Sequence, residues 1–177
     1  VTLGFAQTPY WSYSFDGGAL TDGQGNNNLS ASTNTFTTVS DRFSQANDAI
    51  SLDGDSLIGG SLTQRTSDYT VSFWMKDAPN DASERVLVHQ FSTFGYSIRL
   101  QNGQIKAVGR GARDFCNGIV NVFNGGTSTI TSSANVADGE WHHVAYTLNT
   151  YFDLPNGWYY VYRLYIDGVL QGSETEI

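Results

Sequence analysis

Tyr69-Thr70-Val71-Ser72-Phe73-Trp74-Met75-Lys76 is the stretch on which the fold turns. Successive side chains of a strand point to opposite faces, so Tyr69, Val71, Phe73 and Met75 share one face. Thr70, Ser72, Trp74 and Lys76 share the other. An apolar face against a core and a mixed face toward water is the pattern of a half-buried strand. Further strands are expected over Val86 to Phe91, Tyr96 to Leu100, Gln104 to Val108, His142 to Leu148 and Trp158 to Asp167. Turn-forming clusters lie between them: Pro79-Asn80-Asp81, Gln101-Asn102-Gly103, Ala137-Asp138-Gly139 and Leu154-Pro155-Asn156-Gly157. Asn-Gly between short strands is a strong hairpin signal, and many short strands punctuated by turns point to a sandwich or barrel. Asp16 to Ser40 and Arg110 to Asn135, rich in polar residues and Gly, read as long loops, where function concentrates on a β scaffold.

The 177 residues suit one core, and no linker or internal repeat divides them, so a single domain over 1–177 is expected. Ten Tyr, ten Phe and four Trp argue for strands and against disorder. Seventeen acidic residues against nine Lys plus Arg give a net charge of -8, without the basic footprint that nucleic acid or an anionic membrane surface needs. No apolar run approaches the ~20 residues of a membrane-spanning helix. Cys116 is the only cysteine, so an internal disulfide is impossible, and it reads as a small buried hydrophobe. Val1 to Gln7 reads equally as the tail of a signal peptide cut after Ala6 or as a leading edge strand.

Five landmarks in order resemble the laminin G-like group of concanavalin A-like jelly rolls, of the bacterial or marine kind. They are Tyr13-Ser14-Phe15-Asp16-Gly17 with Asp22 to Asn27, Asp41-Arg42-Phe43 with Ala49 to Gly54, and Tyr69 to Trp74. Glu140-Trp141-His142-His143-Val144-Ala145 and Leu164-Tyr165-Ile166-Asp167-Gly168 complete the set. The resemblance implies an all-β, antiparallel two-sheet jelly-roll sandwich. Members of that group continue past the Tyr-Ile-Asp-Gly hairpin with closing strands, whereas this sequence ends at Ile177. One sheet is therefore expected to keep an edge that another chain, a neighbouring domain or Val1 to Thr8 fills.

Asp16, Asp22, Asn26, Asp41 and Asp53 sit at loop starts and strand ends, where hard oxygen donors suit calcium, although Asp-Gly pairs equally make turns. The resemblance also implies a structural calcium. His142 and His143 are adjacent, point to opposite faces of a strand and cannot share a metal, so they read as structural histidines. Glu84, Glu140, Glu174 and Glu176 provide no strand-borne pair for retaining glycoside hydrolysis, and no nucleophile elbow appears, so no catalytic residue is assigned. Trp158, Tyr159 and Tyr160 follow a turn, and Arg110 and Arg113 lie in the second long loop. Stacking rings and hydroxyl-binding polar groups of this kind suit a carbohydrate. The expectation is a secreted or cell-surface recognition module for a glycan or polysaccharide, supported by calcium. An adhesive or structural protein-interaction domain is the second reading, and an atypical polysaccharide hydrolase or lyase the third.

Overall fold

β-branched and aromatic residues recur through the chain at alternating positions, and the computed structural model is correspondingly all-β. It describes residues 8–25, 27–32, 36–52, 56–60, 68–79, 82–90, 95–110, 127–154 and 157–176, with the backbone alone at 110, 157, 158 and 176. Contacts group the chain into two compact units, Val1–Ser61 and Leu62–Ile177.

The first unit contains a 3-10 turn at Asp16–Gly18 and four short strands: β1 (Ser30–Ala31), β2 (Thr37–Val39), β3 (Ala49–Ser51) and β4 (Leu57–Ile58). β1 pairs with β4 and β2 with β3, both antiparallel. The expected loop from Asp16 to Ser40 thus contains β1 and β2, strands too short to show a period in the sequence. Asp22 organises this unit. Its carboxylate, 5% exposed, accepts hydrogen bonds from the backbone N–H groups of Ser12, Gln24 and Asn27. Backbone donors placed in this way offset the cost of burying a carboxylate.

The second unit is a sandwich of two antiparallel four-stranded sheets. Its strands are β5 (Tyr69–Lys76), β6 (Arg85–Gln90), β7 (Tyr96–Gln101), β8 (Gln104–Arg110), β9 (Thr127–Asn135), β10 (Trp141–Asp153), β11 (Gly157–Ile166) and β12 (Val169–Glu176). One sheet has the order β12-β11-β10-β5 and the other β6-β7-β8-β9. Ile98, Leu100, Ile105, Ala107 and Ile130 from the second sheet meet Val144, Tyr146, Leu148, Tyr162, Leu164 and Ile166 from the first. Burying these side chains, at roughly 1.5–3 kcal/mol for each large one, drives the sheets together. Tyr69, Val71, Phe73 and Met75 pack against that core, while Thr70, Ser72, Trp74 and Lys76 are exposed, as the alternation predicts.

Two hairpins follow from their turn residues. Asn102 and Gly103 both take positive φ, 53° and 75°, between β7 and β8; Asp167 and Gly168 do the same, 50° and 78°, between β11 and β12. Two left-handed residues make the turn whose twist matches a two-residue hairpin, and Asn, Asp and Gly bear that conformation best.

One expectation needs correction. Arg110 to Asn135 is not loop throughout: β8 runs through Arg110, and Thr127–Asn135 form β9. The inward positions of β9 are Ser128, Ile130 and Ser132, all buried, and small serines there hide the apolar alternation. Beyond the Asp167-Gly168 turn, the polar Val169–Glu176 segment forms β12, which pairs along β11 from Ile166↔Val169 to Tyr160↔Glu176. A bulge between its pairings with Leu164 and Tyr165 releases Gln171 to the other sheet. There its Oε1 accepts from Ser133 N, Ser133 Oγ and Ala134 N at 3.0–3.1 Å.

Candidate functional site

Residues directly opposite each other in an antiparallel pair share a face, so the register fixes what the first sheet turns away from the core. Thr70 lies opposite Thr147, Thr147 opposite Arg163, and Arg163 opposite Ser173, which makes a polar row across all four strands. On one side of it come Asn149 and Val161, then Tyr151 and Tyr159. On the other come Ser72, Ala145, Tyr165 and Leu170, then Trp74 and His143.

The aromatic residues occur as contacting pairs. Tyr151 and Tyr159 stack with ring centroids 4.8 Å apart and planes 2° from parallel. Trp74 and His143 meet at 5.1 Å and 42°. Tyr151 is 49% exposed and Trp74 44%, so both pairs offer apolar ring surface to solvent. Between them, Arg163 Nη1 donates to Asn149 Oδ1 at 3.0 Å, which steadies the guanidinium, and among the described residues its other donors meet no carboxylate. From Tyr151 to His143 the face runs eight residues along β10, roughly 26 Å at the usual rise of a strand. The outward positions of β9 on the other sheet, Thr127, Thr129, Thr131 and Ser133, are exposed but carry no ring.

One end of the aromatic face is braced from behind. His142 Nδ1 lies 2.7 Å from Asp167 Oδ2, and its Nε2 lies 3.1 Å from Asp138 Oδ1. Asp167 Oδ1 also accepts the backbone N–H of His143 at 2.8 Å, and Asp167 N donates back to His143 O. Partial burial opposes charge on His142, but the hydrogen bonds and charges of Asp167 and Asp138 outweigh it and hold the imidazole pKa above its ordinary value. Asp138 is held below the usual carboxylate range by the Glu140 backbone N–H and then by His142. Burial pushes Asp167 the other way, yet His142 and the His143 N–H bring it below that range too.

The residues expected to bind ligand separate. Tyr159 lies on the aromatic face, whereas Tyr160, its neighbour on the strand, packs against the core. Trp158 occupies a backbone position opposite Phe152, and its side chain lies outside the described residues. Arg110 ends β8 of the other sheet, with its side chain likewise outside, and so is Arg113 altogether. Trp74, His143, Tyr151, Tyr165 and Arg163 were not singled out for ligand by sequence reasoning. Their shared face becomes visible only when register joins β5 to the distant β10–β11 hairpin, although the outward parity of Trp74 was legible.

Of the expected calcium ligands, Asp16, Asp22 and Asp41 lie among the described residues. Asp22 is committed to backbone N–H groups, and Asp41 Oδ1 accepts from Phe43 N and Gln45 N, both at 2.8 Å, to close its own turn. Asp16 is exposed in the 3-10 turn, and Asn26 and Asp53 lie outside the described residues. Among the described residues no three His, Cys, Asp or Glu side chains converge on a metal position. One exclusion needs correction: Glu174 and Glu176 do stand two residues apart on a strand, β12. They lie opposite Tyr162 and Tyr160, on the parity opposite to the aromatic face, so they are no part of it.

A two-sheet antiparallel sandwich with ring pairs and polar side chains on one outer face has the makings of a binding module. A laminin G family model, described as the concanavalin A-like lectin/glucanases superfamily, matches residues 44–176 of the 177. The chain belongs to that family, and the fold is its jelly-roll sandwich. Membership makes the domain a lectin-like binding module in general, in a superfamily whose name also covers glucanases. No curated protein and no solved structure matches the chain. Among the described residues no helix is long and apolar enough to cross a membrane.

Proposed function

We propose that this domain is an extracellular recognition module whose outer β12-β11-β10-β5 face binds a carbohydrate. The observation that carries the reading is the arrangement of two exposed ring pairs, Tyr151–Tyr159 and Trp74–His143, on either side of the Thr70-Thr147-Arg163-Ser173 row. A sugar presents an apolar ring face and a rim of hydroxyls, so it needs aromatic surface and hydrogen-bonding groups within one span. The row supplies three hydroxyls and a guanidinium between the rings.

Calcium enters this reading as a support of the first unit, on the chemistry of its oxygen-rich stretch from Asp16 to Asp53. A ligand that binds only the folded state raises its stability by about 2.7 kcal/mol at a hundred times its dissociation constant. Melting with EDTA and with added calcium tests this part, and identical midpoints remove calcium from the account.

A glycan array probed with and without calcium, using wild type and Tyr159→Ala, tests the rest. Retention of a defined glycan class by wild type, lost in the variant at an unchanged fold, is the expected result. Retention of no glycan leaves the adhesive protein-interaction reading in its place.

A further inference from the structure

The acids and cations around the outer face are arranged unequally. The chain carries a net charge of -8, yet the basic side chains that the register turns outward on this sheet, Lys76 and Arg163, have no carboxylate partner among the described residues. Four acids at the rim are engaged elsewhere. Asp77 pairs with Arg85, and Asp138 and Asp167 both hold His142. Asp68 accepts from Thr150 N and Thr150 Oγ1 at 2.6 and 2.9 Å. Asp153, at the hairpin end beyond Tyr151, is the outward-parity acid of β10 and β11.

Lys76 lies opposite Trp141 and Arg163 opposite Thr147, so the cations are six residues apart along β10 and two strands apart across the sheet. With ~3.3 Å per residue and ~4.8 Å between strands, the separation is roughly 22 Å. One small anion cannot meet both charges at that distance. A polymer with recurring anionic groups can, while its rings lie along Trp74, Tyr165 and Tyr159. We infer that the ligand of this face is a linear acidic polysaccharide, carrying carboxylate or sulfate groups, that runs diagonally from Lys76 and Trp74 to Arg163 and the Tyr151–Tyr159 pair. The inference rests on the carbohydrate reading of the face and specifies the class within it.

Affinity electrophoresis tests it in gels cast with acidic polymers (polygalacturonate, alginate, hyaluronan, dextran sulfate) and with neutral ones (methyl-esterified galacturonan, dextran, β-glucan). Wild type, Lys76→Gln/Arg163→Gln and Tyr159→Ala are run at low and high salt. The expected result is retardation by at least one acidic polymer, weakened by salt and reduced about tenfold in the double charge variant. Tyr159→Ala should weaken the same retardation at every salt concentration. Retardation by neutral polymers alone, dependent on Tyr159 and unmoved in the charge variant, overturns the acidic assignment and leaves the carbohydrate reading standing. Acidic retardation that the charge variant keeps in full also overturns the assignment. Retardation by none of the polymers overturns both.

Discussion

Tyr151 and Tyr159 sit directly opposite each other on β10 and β11, with rings 4.8 Å apart and 2° from parallel, beyond the last residue that β5 pairs with β10. Their stacking contributes on the order of 0.5–1.5 kcal/mol beyond the area it covers, so the pair stiffens a hairpin that β5 no longer supports. It also keeps two ring surfaces standing on the outer face in the absence of any ligand, and a preformed site loses less entropy on binding.

Tyr159→Ala is therefore expected to cost about 0.5–1.5 kcal/mol of stability and on the order of 1–3 kcal/mol of glycan binding, by analogy with base stacking on aromatic side chains. Tyr162→Ala, three residues further along the strand and fully buried in the core, should cost about 3–5 kcal/mol of stability. Denaturant melts of both variants, with retention on the bound glycan, separate a surface ring from a core ring.

Gly109→Ala should destabilise strongly. A methyl group there would run into the Tyr146 hydroxyl and the Tyr162 ring, which stack at 6.1 Å between the sheets. Overpacking of that kind costs about 1–3 kcal/mol, read as a lower denaturation midpoint without a change in slope.

The His142 brace predicts a stability optimum in pH. The raised His142 pKa contributes stability that is complete below the ordinary imidazole value and lost as pH rises through the folded value. The lowered Asp138 and Asp167 values contribute stability that is complete above the ordinary carboxylate range and lost as pH falls through theirs. The contribution is therefore complete between about pH 4 and about pH 6.5. Thermal midpoints across pH should fall on the alkaline side for wild type, and His142→Ala should flatten that limb. An unchanged alkaline limb in the variant would show that another group produces it.

Gln171→Ala should loosen the tie between β12 and β9. Three donors at Ser133 and Ala134 lose their acceptor, at a net cost of about 1 kcal/mol per hydrogen bond at most. Amide exchange at Ser133 and Ala134 is expected to quicken, while exchange in the core strand β7 stays slow.

Much of the fold was legible because period-two alternation reports burial directly. Tyr69–Lys76 shows it without a break, and Asn102-Gly103 and Asp167-Gly168 mark their turns by residue types that tolerate positive φ. β9 and β12 were not legible, since Ser128 and Ser132 face the core and β12 is a polar edge. The candidate site was half legible. Tyr159 was evident as a ring beside a turn, but Trp74 meets His143 only through a pairing across 69 residues of chain, and Arg163 joins them through its pairing with Thr147 across 16, which no local pattern encodes.

The most direct measurement is a map of backbone amide chemical shifts during titration with a glycan that the domain retains. The account predicts that the perturbations gather on the outer positions of 70–76, 143–151 and 159–165 and leave the threonines of β9 unmoved. Perturbations confined to the first unit or to the β9 face, with this sheet silent, would contradict it.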